Sequence, residues 1–131
     1  MNRFVKLYFY ASLTATMVSL STAHAVGYSD NIGGQKLSGY TVGANFFGSE
    51  DVAVFPPAGE PFTDPANCAG ATSPSAVLPN TADTTYRLLL VQVMSAAATG
   101  QKLTLLLGDS CYDIGYGVKR PVIIGLRAYT D

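Results

Sequence analysis

A helix that is oily on two sides leaves few folds open, and residues 82–98 describe one. Tyr86, Leu89, Leu90, Val93, Met94 and Ala97 recur at the three-and-four spacing of one helical face and are the first candidates for a core. Leu88, Val91 and Ala98 form a second apolar line, and only Arg87, Gln92 and Ser95 interrupt the surface between the two. Such a helix needs cover on both sides. In a chain of this size one sheet can cover one side, and the other calls for a neighbouring subunit or a long loop. Leu88, Val91, Gln92 and Ser95 are accordingly the residues expected to meet a second copy. Asp83 stands where an N-cap carboxylate would satisfy the first free N–H groups, and Thr99 and Gly100 stop the pattern. Residues 103–107 follow as a short apolar run of strand length.

The beginning of the chain reads as an export signal. Asn2, Arg3 and Lys6 open it, residues 4–20 are mostly apolar with no acid, and Ala23, His24 and Ala25 make a small-x-small cleavage site. Cleavage after Ala25 would leave one domain, residues 26–131, in the periplasm or outside the cell, with no membrane span. That mature chain would carry six basic against nine acidic side chains, a net charge of −3. Nothing in that balance favours nucleic acid. His24 is the single histidine of the sequence and would leave with the signal, which excludes Ser-His-Asp and Cys-His catalysis and His-ligated metals. Cys68 and Cys111, exported together, are expected to form a disulfide between the loop before the helix and the segment after the following strand.

Residues 26–35 are polar and glycine-rich, an arm leading in. Tyr40, Val42, Ala44 and Phe46 alternate with smaller or polar residues, the period of a half-buried strand. Gly48, Ser49, Glu50 and Asp51 make a turn into Val52, Ala53, Val54 and Phe55, its hairpin partner. Residues 56–80 hold six of the seven prolines and read as a long ordered loop outside the sheet. A turn-rich connection at residues 108–117 leads to a last strand through Val122, Ile123, Ile124 and Leu126. The expected class is α+β, mainly β, with one helix.

No catalytic constellation or cofactor motif emerges, so a binding or assembly role is the residual and an enzyme is not expected. Asp109 and Asp113 lack the spacing of a calcium loop. Glu50 with Asp51, or Glu60 with Asp64, would be the carboxylate pairs for glycoside cleavage, but adjacent acids in turns have a plainer explanation. Tyr112 and Tyr116 sit in the connection and offer flat apolar faces with a hydroxyl rim, the chemistry that stacks on sugar rings.

Leu37-Ser38-Gly39 before the first strand, Ala98-Thr99-Gly100-Gln101 before an apolar strand, and the closing Val122-Ile123-Ile124-Gly125-Leu126 resemble the B subunits of the subtilase cytotoxin group, relatives of pertussis-type toxin B subunits. The resemblance implies a small OB-like β-barrel, or curved antiparallel sheet, packed with one central helix. It implies a ring of five copies that binds sialylated host-cell glycans and carries a secreted catalytic A subunit. The family's sugar-contacting serine falls on Ser38; where the family has a second contact, a tyrosine after T-G-Q, this chain has Leu107. A reading of a different kind is a periplasmic structural or inhibitor protein that engages a protein partner through the Pro-rich segment.

Overall fold

The computed structural model describes residues 25–30, 34–43 and 50–130. Apart from Ala25, the expected signal peptide lies outside the described residues, as do Ala44, Phe46, Gly48 and Ser49. The elements are β1 (Ala25–Tyr28), β2 (Gly39–Val42), β3 (Val52–Phe55), β4 (Phe62–Thr63), β5 (Thr72–Ser73), β6 (Ala76–Leu78), α1 (Thr84–Thr99), β7 (Leu103–Asp113) and β8 (Lys119–Ala128). The protein is mainly β with one helix among the described residues, as its sequence leads one to expect.

Six strands form one sheet in the order β1-β7-β8-β6-β3-β2, and β4 pairs with β5 separately. The sheet is mixed and not purely antiparallel, because β6 runs parallel to β8 at Val77–Val122. It is not a closed barrel. A single bridge, Gln35 to Leu103, brings the lead-in of β2 round to β7 through two backbone hydrogen bonds of 2.8 Å.

The helix forms where its pattern puts it. Asp83 Oδ1 accepts the Tyr86 N–H at 2.8 Å and the Thr81 hydroxyl at 2.9 Å, so the cap is itself held in place. Gly100 takes the left-handed conformation that ends the helix, at φ 73°, and donates its N–H to Ala96 O. Tyr86, Val93 and Ala96 are buried, with Leu89 and Leu90 packed against them. Met94, a first-line core candidate, instead faces outward, and Ala96 takes the inward position. A small residue there lets the helix axis approach the sheet.

Under the helix, Leu103, Leu105 and Leu107 of β7 all point into the core with Val52, Val54, Phe62, Leu78 and Ile123. The alternation puts these three on one face of the strand, while Thr104 on the other face is buried as well, its hydroxyl donating to Asp30 Oδ1 at 2.7 Å. β7 runs on to Asp113, so Cys111 lies within the strand and residues 108–113 are not a loop. The ladder survives there by slipping: Leu107 pairs with Ile123, but Cys111 with Pro121, leaving residues 108–110 as an irregularity.

Two other expectations need correction. Residues 26–35 are not simply an arm, since β1 pairs with β7 and Ser29 extends the contact, its Oγ accepting the Leu105 N–H. Residues 56–80 are not all loop. The prolines fall beside the strands, and the proline-free Ala76-Val77-Leu78 enters the middle of the sheet between β3 and β8.

Cys68, in the loop between β4 and β5, is joined to Cys111 with their Cα atoms 5.4 Å apart. Closing that loop of 43 residues restricts the unfolded chain by about 4 kcal/mol on the loop-entropy model. Replacing both cysteines by alanine is expected to lower unfolding free energy by about 2–4 kcal/mol in a urea titration. Burial raises the Tyr86 phenol above its ordinary value, and the Asp51 and Glu50 charges add to the effect. A raised folded-state value favours the protonated phenol, so this stability is present below pH about 10 and lost as pH rises through the folded value. Tyr86→Phe should therefore flatten the alkaline limb of a stability-versus-pH curve.

Candidate functional site

The strongest candidate site is a cleft of about 480 Å³ where the chain approaches β2, lined by Gln35, Lys36, Ser38, Pro57, Glu60 and Lys102 among others. Its floor is set by the Gln35–Leu103 bridge, which places Lys102, one residue before β7, beside a segment far from it in sequence. The Gln35 side chain spans the cleft, its Nε2 donating to Glu60 O at 3.0 Å. Its Oε1 is buried with no hydrogen-bond partner, an acceptor left over in a polar recess.

Ser38 is fixed by its own hydrogen bonds. Its N–H donates to Phe55 O at 3.0 Å and its hydroxyl donates to Pro56 O at 2.8 Å. The hydroxyl proton is thus engaged, while the oxygen keeps lone pairs that can accept from a ligand. Lys36 and Lys102 are both exposed at the rim. With Glu60 opposite them, the cleft carries one excess positive charge in a chain whose formal net charge is −1. It suits a ligand with acidic and hydroxyl groups.

The other expected site residues lie elsewhere. Tyr112 donates its hydroxyl to the Asp51 carboxylate, at the opposite end of β3 from Ser38, roughly 13 Å away at strand spacing. Tyr116 stands at the tip of the β7–β8 turn, 87% exposed, with φ 54° between Gly115 and Gly117. The structure therefore does not gather Ser38, Tyr112 and Tyr116 into one site. Leu107 is wholly buried in the core and out of reach of any ligand. Leu88, Val91, Gln92 and Ser95 do share one exposed face of α1.

Of the carboxylates considered for chemistry, Asp51, Asp64 and Asp113 hold backbone instead. Asp51 Oδ1 accepts the Asn80 N–H at 2.6 Å and Glu50 Oε2 the Asn80 side-chain amide at 3.0 Å. Asp113 closes the hairpin turn by accepting the Gly115 N–H at 2.8 Å, and Asp64 accepts the Ala69 N–H at 2.7 Å. Among the described residues no three His, Cys, Asp or Glu side chains come together as a metal group.

Gln35, Lys36 and Lys102 were not legible as site residues, because only the bridge between distant segments assembles them. A shorter-range signal was present in Gly34. It sits at φ 82°, and a Cβ there would lie 2.7 Å from the Tyr129 ring. Gly34→Ala is expected to cost about 1–3 kcal/mol by thermal or urea unfolding and to displace the wall of the cleft. No family model, curated protein or solved structure matches the chain.

Proposed function

We propose that this chain is a secreted, non-enzymatic binding module, toxin B-subunit-like, that assembles into a homo-oligomeric ring of five and binds glycans on host-cell surfaces. The observation that carries the reading is the outer face of α1. Leu88, Val91 and Met94 stand 63%, 60% and 44% exposed while the inward face fills the core. Gln92 and Ser95 run beside them as hydrogen-bonding partners for a neighbour. Seating each large apolar side chain against another copy stabilises by about 1–2 kcal/mol, and a rotation axis presents the same strip to every neighbour.

The connectivity supports an OB-like reading. The path β2-β3-β6-β8-β7 returns to the lead-in of β2 through Gln35, with the helix placed between β6 and β7, a partly open barrel. The glycan is assigned to the Ser38 cleft, where lysine donors, the Ser38 acceptor and the Pro57 ring suit an acidic, sialylated sugar. A catalytic A subunit riding on the ring is the corresponding protein partner. One feature favours a second reading, an interaction or inhibitor protein of the periplasm. Pro56, Pro57, Pro61 and Pro74 line a shallow groove of about 220 Å³ that would accept a partner's aromatic side chain.

Light scattering at micromolar concentration should return a multiple of the monomer mass, and Val91→Glu should return the monomer with its circular dichroism intact. A monomeric parent protein would end the ring reading. On a glycan array, Lys102→Glu should weaken retention of acidic glycans about tenfold, the loss of one charge-assisted hydrogen bond. Undiminished binding by both Lys102→Glu and Ser38→Ala would remove the cleft as the site.

A further inference from the structure

A second concavity, of about 250 Å³, shares no lining residue with the Ser38 cleft. Its walls are Leu78, Tyr86, Leu89, Val122, Ile123 and Ile124, and its mouth is formed by Thr81, Asp83 and Thr85 at the start of α1. It has room for one side chain of leucine or phenylalanine size. The concavity exists because neighbouring strands are unequal. β6 has three residues and β8 has ten, and their ladder holds one pair, Val77–Val122, before Pro79, which has no N–H to donate, turns the chain away.

Among the described residues β6 is the only strand on that side of β8. On its other side β8 stays paired with β7 as far as Ala128. Past Val122, one side of β8 is therefore, among the described residues, a strand edge without a strand beside it, running next to an apolar recess. Edges of this kind accept an added strand, in which main-chain hydrogen bonds give affinity and side-chain recesses give selectivity.

Charge narrows what could lie there. No Lys or Arg lines the recess, and Asp83 is at its mouth. The Tyr86 N–H and the Thr81 hydroxyl hold the Asp83 carboxyl below the usual carboxylate range, so it is ionised at neutral pH. Glu50 lies behind Tyr86 and outside the lining, its backbone oxygen accepting the Tyr86 hydroxyl at 3.2 Å and its carboxylate the Asn80 side-chain amide at 3.0 Å, close enough for its charge to act on the phenol. Acidic segments are repelled and basic ones attracted.

We propose that the β8 edge beyond Val122 binds an extended segment of a partner protein by strand addition, with an apolar side chain in the recess and a flanking Lys or Arg facing Asp83 and Glu50. This surface is separate from the outer face of α1 and from the Ser38 cleft, so it can be occupied whether or not the protein forms a ring.

The test is an array of immobilised octapeptides in a Val/Thr background, with a central Leu, Phe or Asp flanked by either Lys or Glu, probed with the full chain. Peptides with an apolar centre and Lys flanks should retain about fivefold more protein than their Glu-flanked counterparts. Thr85→Lys, at an exposed position, should erase that preference. Ile124→Arg should abolish retention, and N-methylation of alternate amides in the best peptide should cut it about tenfold, the loss of main-chain bonding. Equal retention of Lys- and Glu-flanked peptides, a preference unmoved by Thr85→Lys, or indifference to N-methylation would each overturn the proposal. A simple alkylammonium salt that displaces the peptide at equal concentration would also overturn it, by making the recess a small-amine site.

Discussion

The antiparallel ladder between β7 and β8 is the constraint on which the rest of this molecule depends. It sets Leu103, Leu105 and Leu107 on one face, and these three, fully desolvated, share one core with Val93 and Ala96 of the helix. β1 adds to the outer edge of β7, and the bridge from Gln35 forms at its first residue. The disulfide is anchored near its far end at Cys111. Without this ladder the cleft at Ser38 would lose Lys102, and the helix would have no floor.

What the sequence reveals follows the range over which each signal acts. The helix, both caps, the β2–β3 hairpin and the start of β7 rest on contacts within a few residues, and periodicity and capping chemistry locate them. Ala96 and Met94 exchanged places because helical spacing fixes a face only to within a residue, and the smaller side chain won the close approach to the sheet. β6 was hidden by the prolines around it, although each proline sits where no ladder N–H is required. β1 was hidden because Val26 and Tyr28 alternate with too few residues to register as a strand. The site was less legible still. Ser38 was named through a resemblance, but its neighbours Gln35 and Lys102 are 67 positions apart in the sequence, and only the fold makes them adjacent.

Five of the seven aspartates share a task. Asp30, Asp51, Asp64, Asp83 and Asp113 each accept a backbone N–H, from Gly34, Asn80, Ala69, Tyr86 and Gly115 respectively. A short carboxylate next to a turn is well suited to this, since it reaches the main chain with little loss of rotamer freedom. Four of these bonds span five residues or fewer, and the Asp51 bond ties together segments 29 residues apart. Lys36 and Lys102, by contrast, lie exposed at the rim of the cleft.

The meeting of β6 and β8 at one residue pair has a mechanical meaning. It divides the sheet into two rafts, β1-β7-β8 and β6-β3-β2, each stitched internally by several rungs and joined to the other by the Val77–Val122 pair on one side and the Gln35–Leu103 bridge on the other. Force or heat applied to such a sheet concentrates at its weakest seam, so the rafts should part as two stiff plates before either frays. The helix, which packs against β2 of the second raft and β8 of the first, would act as the strap that limits how far they swing.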